Sequence, residues 1–583
     1  MKVICDSRKN PAKWRPGSDA GARSGRIMRE SDRSEKIPPY RQRIPDQIRN
    51  LKAQVPSVTD FWCGRALGDR FAETVQSRTD ATMLIEESRH FSFLDIQKET
   101  MQLAAGMAAE GVVSGDAIAY QLPNWREAVV VFLATAHLGA HVIPLVPTLG
   151  IRELRGIFRE TSPRLIFVNG KSPQARRMRE EFAETATRAI AVRSGPDSSQ
   201  DYESLLQRGR PPVHEIDPLT AAAIIYTSGS TAAPKGALHL HETLGAEIDS
   251  LREAHALNPN DRVLMPSPLG HISGVIHGIL TPALLGTSAV LQPQWDAGAA
   301  LEAIDQHQVS YMIGAPVFLQ EMLARPEIER YDLRTLRLFS CGGAPVARSL
   351  LEEARRKLPH LIAKRVYGSS EFPTISTTGA GDAGRRGQDS EGKPLRGVTI
   401  RITDSQGKDL PAGNEGEVRA RGPECFLGYT DATLDEAAFD DQGFFRTGDL
   451  GIRDAEGYLR ISGRLKEIIV RKGENISARE IEEQIIASCP EFREVAVVAL
   501  PDPERGEIAC ACGRYVAGAP RLSLPRLSER LGQAGLSTRK LPERLEVLED
   551  FPRLPSGKVD KRRLARSLQD SVPAPLAGRR LRG

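Results

Sequence analysis

The sequence predicts an α/β protein with a large N-terminal α/β domain of several subdomains, a small β-rich subdomain and a mobile α+β C-terminal lid. Three observations support this fold class. At 583 residues the chain is too long for one hydrophobic core. Apolar strand patterns alternate with helical patterns over most of it, as layered parallel sheets require. From Val398 onward short strands separated by Gly- and Pro-rich turns replace that alternation, and past Gly463 the pattern changes again.

The elements of the large domain follow from hydrophobic periodicity. Helical spacing predicts helices over residues 67–74, 94–107 and 127–137. Short apolar runs predict strands at residues 117–122, 142–145, 165–168, 221–226, 262–265, 289–291 and 311–313. The β-rich subdomain is predicted from residues 398–402, 416–420 and 458–462, and the lid from a helix at 478–487, a strand at 495–500 and a helix at 522–531.

Changes in composition set the predicted domain limits. Residues 1–58 are polar, basic and rich in Pro and Gly, so we expect a flexible N-terminal extension with structure beginning near Thr59. Residues 59–463 form the predicted N-terminal domain, 464–567 the lid domain and 568–583 a disordered tail.

Composition excludes several classes of function. Lys+Arg 79 against Asp+Glu 75 leaves a net charge of only +4, too small to favour nucleic acid as a partner. No apolar run reaches the roughly 18 residues that a membrane span needs, and the N-terminus lacks the apolar segment of a secretory signal. The 7 cysteines are scattered, which is typical of reduced thiols. We therefore expect a cytoplasmic protein.

The stretch I-Y-T-S-G-S-T-A-A-P-K-G-A-L-H, residues 225–239, has the composition of a phosphate-binding loop. It follows an apolar strand and combines backbone N–H groups, hydroxyls and one lysine, which together suit a polyphosphate. It is not the G-x-x-x-x-G-K-[ST] loop, since Pro234 precedes Lys235 and Gly236 follows it. Alone it is also compatible with a Ser/Gly-rich surface turn. Its candidate ligands are Thr227, Ser228, Gly229, Ser230, Thr231 and Lys235.

Further stretches carry groups suited to chemistry. They are P-L-G-H-I-S-G around His271, S-C-G-G-A-P at 340–345, Y-G-S-S-E at 367–371, T-G-D-L-G at 447–451, G-R-L-K-E at 463–467, R-K-G-E-N at 471–475 and P-S-G-K around Lys558. Each alone could be a cap, a turn or a solvated charge. In this order they are hard to explain in that way.

As a set, these motifs resemble the adenylate-forming superfamily, which includes acyl- and aryl-CoA synthetases, firefly luciferase and peptide-synthetase adenylation domains. The resemblance covers residues 59–563. It implies ATP, Mg²⁺ and CoA as cofactors and a small carboxylic acid as substrate. It also implies an acid–thiol ligase that forms an acyl-AMP, releases pyrophosphate and passes the acyl group to CoA.

The resemblance assigns roles around ATP. Thr227 to Thr231 and Lys235 would hold the β- and γ-phosphates, and Glu371 would position Mg²⁺. Ser370 stands where the family usually has Thr and keeps the hydroxyl for the α-phosphate. The adenine would lie between Tyr367 and a segment made of Gly343, Ala344 and Pro345, beside Gly368. Asp449 and Arg464 would hold the ribose.

The resemblance also assigns the two half-reactions. Lys558 would bridge the carboxylate and ATP and stabilise the transition state of adenylation. A rotation of the lid about a hinge at Lys466 would then withdraw Lys558. The same rotation would bring Lys472 and Gly473 to the tunnel for the thiol of CoA.

Two positions depart from the family pattern. Ala232 stands where the family has Gly, which would cost about 1 kcal/mol if that position needs a positive φ. Arg365 stands two residues before Tyr367, where many relatives carry Asn or Gln, so that adenine contact stays open. Neither change removes a catalytic group.

The acyl pocket is predicted around His271, Gly314, Gly342 and Gly368, where glycines leave room for the acid. The segment 271–274 has no acidic residue to meet an amino group, which argues against amino acids. The sequence most resembles ligases of medium-chain, alicyclic or aryl acids. Two alternatives stay open: an aryl-acid adenylating enzyme that loads a carrier protein, and an inactive nucleotide-binding interaction protein. The sequence predicts neither the particular acid nor the oligomeric state.

Overall fold

The structure is a computed structural model, and it describes residues 38–54, 56–182, 187–194, 201–206, 209, 211–212, 215–227, 234–379, 389–471, 474–503, 505–553 and 558–570. Several predictions lie outside these residues. They concern the first 37 residues, the end of the tail, the loop residues Ser228, Gly229, Ser230, Thr231 and Ala232, and the tunnel residues Lys472 and Gly473.

The strands alternate with helices through the first two-thirds of the chain. They are β1 (Thr82–Glu86), β2 (Arg89–Ser92), β3 (Ala117–Gln121), β4 (His141–Pro144), β5 (Leu165–Asn169), β6 (Arg188–Val192), β7 (Ala221–Thr227), β8 (Lys235–Leu240), β9 (Arg262–Met265), β10 (Ser288–Leu291), β11 (Tyr311–Gly314), β12 (Leu338–Cys341), β13 (Ile362–Tyr367), β14 (Ser376–Thr377), β15 (Lys393–Pro394), β16 (Thr399–Thr403), β17 (Glu415–Arg421), β18 (Gly428–Tyr429), β19 (Phe445–Arg453), β20 (Leu459–Arg464), β21 (Ile468–Arg471), β22 (Glu474–Ser477), β23 (Phe492–Asp502), β24 (Gly506–Tyr515) and β25 (Arg544–Val547).

The helices are α1 (Pro39–Gln54), α2 (Leu67–Arg78), α3 (Phe93–Ala109), α4 (Arg126–His137), α5 (Ile151–Thr161), α6 (Pro173–Phe182), α7 (Asp201–Leu205), α8 (His241–Ala254), α9 (Ile272–Gly274), α10 (Thr281–Leu285), α11 (Ala297–His307), α12 (Pro316–Leu323), α13 (Arg348–Lys357), α14 (Asp435–Ala438), α15 (Ala478–Ser488), α16 (Leu524–Gln533) and α17 (Lys561–Asp570). A π-helical turn, Val275–Leu280, joins α9 to α10. None of the helices in the described ranges is long and apolar enough to cross a membrane.

Within the described residues the strands form four sheets. The first has the order β15-β14-β13-β12-β11-β9-β10-β1-β2, the second β18-β8-β7-β4-β3-β5-β6, the third β16-β17-β19-β20, and the fourth β22-β21-β24-β23 with β25 beside β24. Within each of the first two sheets the central strands are parallel, so their carboxyl ends lie at the same edge of that sheet. The predicted fold class is confirmed, with the third sheet as the β-rich subdomain and the fourth as the core of the lid.

The first two sheets share one hydrophobic core. Helix α4 lies in it and is buried on every side from Glu127 to Ala136. Its nearly continuous apolar sequence therefore reflects burial between layers rather than an amphipathic surface position. Helix α3 begins at a capping box in which Ser92 and Asp95 bond each other's backbone N–H groups. Both helices contribute buried residues to the core between the sheets.

The prediction that structure begins near Thr59 was wrong. Helix α1 begins at Pro39, well before Thr59, and buries Tyr40 against the second sheet. Its inward positions are Tyr40, Ile44, Ile48 and Leu51, which have helical spacing. The basic residues between them and an internal proline, Pro45, obscured that pattern. The limits predicted for the other domains stay predictions.

Candidate active site

The two ends of the predicted phosphate loop lie side by side. β7 ends at Thr227 and β8 begins at Lys235, and these two residues are partners in the antiparallel pair of strands. The Lys235 ammonium lies 5.1 Å from the centre of the Tyr429 ring, a cation–π distance. The strand pair therefore places a lysine where the predicted phosphate-binding residues begin.

Glu371 lies next to this lysine because both contact the same tyrosine. The hydroxyl of Tyr429 donates to Glu371 Oε1 over 2.7 Å, and the backbone N–H of Phe426 donates to the Glu371 carbonyl over 2.8 Å. Desolvation and the Glu371 carboxylate raise the pKa of Tyr429, so its hydroxyl stays a donor. The preceding carbonyl, that of Ser370, lies 2.8 Å from Nε2 of the buried His239. Backbone and side chain of Glu371 are therefore both oriented.

The predicted adenine and ribose residues also meet. The Tyr367 hydroxyl donates to Asp449 Oδ2 over 2.8 Å, and Arg464 Nε donates to Asp449 Oδ1 over 2.9 Å. Asp449 and Arg464 are partners between β19 and β20. The Asp449 charge raises the pKa of Arg464. The third sheet thus brings its acid and its base to the end of β13, where Tyr367 and Gly368 lie.

Gly343 has a backbone conformation that favours glycine. Its φ is +75°, in the left-handed region that side chains other than glycine rarely adopt. A methyl group at this position would meet only the Cε atom of Lys558, at 3.9 Å. The predicted segment Gly343, Ala344 and Pro345 therefore borders a space that Lys558 enters from the other side.

Lys558 brings the C-terminal part of the chain into this site. The residue as a whole is exposed, but its ammonium group is desolvated in the cleft. That desolvation, and next the charge of Arg464, lower the pKa of Lys558 to about 8. The carboxylates of Asp449, Glu371 and Glu467 act in the opposite direction and limit this shift. Lys561 anchors the following helix by pairing with Glu467 and Glu482 at 2.6 and 2.8 Å. Lys558 is thus close enough to the predicted ATP residues Asp449, Glu371 and Arg464 for their charges to act on it.

His271 is close enough to Lys558 for the lysine charge to act on it. Burial, and next the Lys558 charge, lower the pKa of His271 to about 4, so its imidazole is neutral at physiological pH. Its Nδ1 atom accepts from the backbone N–H of Ser273 over 3.4 Å. Lys466, the predicted hinge, lies exposed in a 3₁₀ turn between β20 and β21.

The glycines predicted to leave room for the acid do not leave empty space. A methyl group at Gly342 would lie 2.5 Å from a Val366 methyl, and at Gly368 2.0 Å from the Pro373 carbonyl oxygen. At Gly314 it would meet the Phe318 ring at 2.6 Å. Protein atoms already fill the space beside these glycines, so glycine is required there by close packing. Their place in an acyl pocket stays a prediction.

Arg365, the departure noted in the sequence, belongs to a buried ion cluster. Its guanidinium lies 3.5 Å from Glu391 Oε1, and Arg479 of α15 donates to the same oxygen over 3.1 Å. The other oxygen, Oε2, accepts from the backbone N–H of Ile461 over 2.9 Å. A residue of the lid therefore pairs with a carboxylate that two other elements, β13 and β20, also contact.

Sequence reasoning missed Tyr429, Glu391 and Arg479. Tyr429 lies in F-L-G-Y-T, residues 426–430. A glycine followed by an aromatic residue interrupts the pattern of the β-rich region there, and this interruption was the one sequence feature that could have indicated a site residue. Glu391 and Arg479 gave none, because single charges far apart in sequence do not reveal a pair.

The donor set suits a magnesium ion that arrives with a nucleotide. No cluster of three or more His, Cys, Asp or Glu residues in the described part of the chain could hold a metal by itself. Mg²⁺ is commonly bound through one or two carboxylates together with phosphates of a substrate. Glu371, with one oxygen bonded to Tyr429, supplies such a carboxylate.

Comparison with known proteins agrees with this geometry. A family model described as AMP-binding enzyme matches residues 71–430, more than half of the chain. The chain belongs to this family. It is an AMP-forming acyl-CoA synthetase that depends on ATP, Mg²⁺ and CoA.

Individual relatives of this AMP-binding enzyme are similar over most of their length. It is 31% identical to the medium-chain fatty-acid–CoA ligase of Escherichia coli over 86% of this chain and 90% of the relative. It is 33% identical to the indoleacetate–CoA ligase of Aromatoleum aromaticum over 81% and 92%. Among solved structures, ATP-bound MatB from Rhodopseudomonas palustris superposes with a TM-score of 0.79 and 26% identity, over 87% of this chain and 99% of that chain.

Proposed function

We propose that the protein activates a carboxylic acid with ATP to an acyl-AMP and then transfers the acyl group to CoA. The observation that carries the proposal is the position of Lys558: its Cε atom would lie 3.9 Å from a methyl group on Gly343, and the charges of Asp449 and Glu371 act on its ammonium. These residues come from four separate stretches of the sequence and meet at one place. A surface turn or an inactive scaffold does not require such convergence.

In the first half-reaction an oxygen of the acid attacks the α-phosphorus of ATP, and the bond to the β-phosphate oxygen breaks to release pyrophosphate. Negative charge gathers around phosphorus, so fixed cations and donors lower the barrier. Lys558 and Lys235 supply the cations, while Asp449 and Arg464 orient the ribose. Glu371 would hold the Mg²⁺ that neutralises phosphate charge.

In the second half-reaction the sulfur of CoA attacks the carbonyl carbon, the bond to AMP breaks, and the thiol proton is lost to solvent. An acyl-adenylate is reactive enough that a thiolate needs no dedicated base. The lid rotation about Lys466 and the tunnel at Lys472 and Gly473 belong to this proposal, as do the domain limits predicted from the sequence.

The acid is proposed to be a monocarboxylate with an uncharged body: medium-chain, alicyclic or aryl. His271 supports this, because a neutral imidazole offers no charge to a second carboxylate or an ammonium. Both relatives named above act on acids with such bodies, as their names state. A cytoplasmic location is part of the proposal, and in the described residues six cysteines occur as free thiols.

A panel of acids tests the proposal. Each acid is incubated with ATP, Mg²⁺ and the full chain, and pyrophosphate exchange into ATP is measured before CoA or a holo carrier protein is added. We expect exchange with at least one acid of the proposed class and acyl-CoA once CoA is present. Product with the carrier alone would favour the carrier-loading alternative. Absence of exchange with every acid would overturn the proposal in favour of an inactive nucleotide-binding protein.

A further inference from the structure

Helix α1 contacts the segment that carries Tyr429. The guanidinium of Arg43 donates to Asp435 Oδ2 over 3.2 Å and to the carbonyls of Tyr429 and Thr430 over 3.1 and 2.9 Å. Gln47, one turn later, donates to the same Asp435 oxygen over 3.2 Å. A planar guanidinium that meets three acceptors at once restricts their positions more than a single hydrogen bond does.

The same segment, residues 428–435, is bonded on its other side to the strand that carries Lys235. β18 pairs with β8, with Tyr429 opposite Ala237, and the Thr430 N–H donates to the Gly236 carbonyl over 2.9 Å. Asp435 also accepts from the Tyr429 N–H over 2.7 Å. The backbone of Tyr429 is therefore held between Arg43 and the strand of Lys235.

The Tyr429 side chain points from this backbone into the candidate site. Its hydroxyl is bonded to Glu371 and its ring lies beside the Lys235 ammonium. A shift of the Tyr429 backbone would therefore move a donor away from the proposed magnesium ligand and a ring away from the proposed phosphate ligand. Both changes would occur at the phosphate end of the site.

Arg43 is not needed to attach the helix. Tyr40 is buried, its hydroxyl lies 2.7 Å from His141 Nε2, and Ile44, Ile48 and Leu51 pack on the same cluster. An apolar face of this size supplies the attachment by burial. Arg43 instead donates hydrogen bonds to residues 429, 430 and 435, which are nearly 400 positions away in the chain.

We propose that helix α1 is a working part of the ATP site and that Arg43 is a positioning residue. Through Tyr429 it sets the orientation of Glu371 and Lys235 toward the β- and γ-phosphates and their Mg²⁺. This inference rests on the proposed function, which assigns those two residues to MgATP.

Equilibrium binding to the full chain tests the proposal without reference to the acid. Titration calorimetry with MgATP and with AMP is carried out on the wild type, Arg43→Ala and Arg49→Ala. Arg49 is the matched control, since it lies on the same helix and, among the described residues, pairs with Asp46 alone at an exposed position. We expect Arg43→Ala to weaken MgATP binding about tenfold. We expect AMP binding to stay within about twofold, because AMP lacks the phosphates at that end.

Two further variants separate positioning from folding. Tyr429→Phe removes the hydroxyl bonded to Glu371 but keeps the ring beside Lys235. On that background Arg43→Ala should weaken MgATP binding less than it does alone, since part of its effect passes through that hydroxyl. Arg43→Lys keeps the charge and should recover part of the affinity. If Arg43→Ala does not fold, Arg43→Lys and Gln47→Ala supply the same comparison against Arg49→Ala.

The proposal is overturned if Arg43→Ala lowers the melting temperature but binds MgATP as Arg49→Ala does, because the helix would then only stabilise the fold. It is also overturned if MgATP and AMP binding decline equally, or if the effects of Arg43→Ala and Tyr429→Phe are additive. A wild-type chain that binds neither nucleotide would instead refute the proposed function, and this inference with it.

Discussion

Arg479 donates a hydrogen bond to Glu391 over 3.1 Å and thereby joins helix α15 of the lid to the N-terminal part of the chain. Both side chains are nearly buried, and Arg365 approaches the same carboxylate from the first sheet. Breaking a buried ion pair costs more than breaking an exposed one, because an unpaired charge stays away from water. The cluster therefore favours the arrangement in which Lys558 reaches the site.

Replacing Arg479 by Met should weaken that arrangement. We expect pyrophosphate exchange to fall about tenfold, a moderate loss because Arg365 still neutralises Glu391. Thioester formation from supplied acyl-AMP should stay within about twofold if it uses another lid position. Arg493→Met is the control: Arg493 also bridges the lid and the N-terminal part, to Glu321 at 3.4 Å, but at an exposed position where such pairs contribute little. Equal effects of the two variants would contradict a special role for the buried cluster.

Replacing Lys558 by Ala should nearly abolish formation of the adenylate. Loss of one fixed charge at a phosphoryl-transfer centre costs roughly 100- to 1000-fold. Thioester formation from supplied acyl-AMP should be largely kept, because the cation serves only the first transition state. The two half-reactions are measured separately, and a parallel loss in both would sink this division of labour.

The pH dependence of adenylation should carry the titration of Lys558. Desolvation lowers the pKa of Lys558 to about 8, so its cation is present below that pH and is lost as the pH rises through it. We expect kcat/KM for pyrophosphate exchange to fall on the alkaline side with a midpoint near 8, since this parameter reports the free enzyme. The residual activity of Lys558→Ala should not show this alkaline decrease in kcat/KM. Its persistence in the variant would assign the titration to another group.

Replacing Glu424 by Gln should stabilise the protein at alkaline pH. Burial raises the pKa of Glu424 to about 7, above the value of 4.5 expected in an unfolded chain. Between these two values the unfolded chain loses its proton first, so the wild type loses stability as the pH rises and the loss is complete above about 7.

Gln keeps an acceptor for the Ser250 hydroxyl and does not ionise. The gain should be on the order of 3 kcal/mol at pH 8 and much smaller at pH 5. Melting temperatures at the two pH values check it, with the exposed Glu436→Gln as control. Equal shifts at both pH values would count against a buried, titrating carboxylate.

The sequence predicted the fold best where burial leaves a regular pattern. The strand at residues 262–265 was predicted with its observed limits, and the helix at 478–487 ends one residue later in the structure. Helix α8 escaped prediction because its buried face includes charged residues, among them Glu242 and Glu247, which periodicity assigns to the surface. Helix α1 escaped because its apolar positions are separated by arginines.

The sequence pointed to candidate site residues where one short motif contains them, as in T-G-D-L-G, and their roles stay predictions. Contacts between motifs were not predictable. The bond between Tyr367 and Asp449 depends on how the third sheet meets the first, and no spacing in the sequence reveals it. The family resemblance provided the grouping, and the structure adds the tyrosine and the ion cluster that hold the groups in place.

The clamp formed by Arg43 also has a consequence for biosynthesis. Arg43 and Asp435 are 392 residues apart, which corresponds to roughly 20 to 80 seconds of elongation at typical ribosomal rates. During that interval helix α1 can pack its apolar face on strands that are already synthesised, whereas the Arg43 guanidinium does not yet have Asp435 as an acceptor. A nascent chain stopped before Asp435 would present its first 434 residues with a formed apolar core and no complete nucleotide pocket. Nucleotide could then stabilise only a chain that has been extended past Asp435.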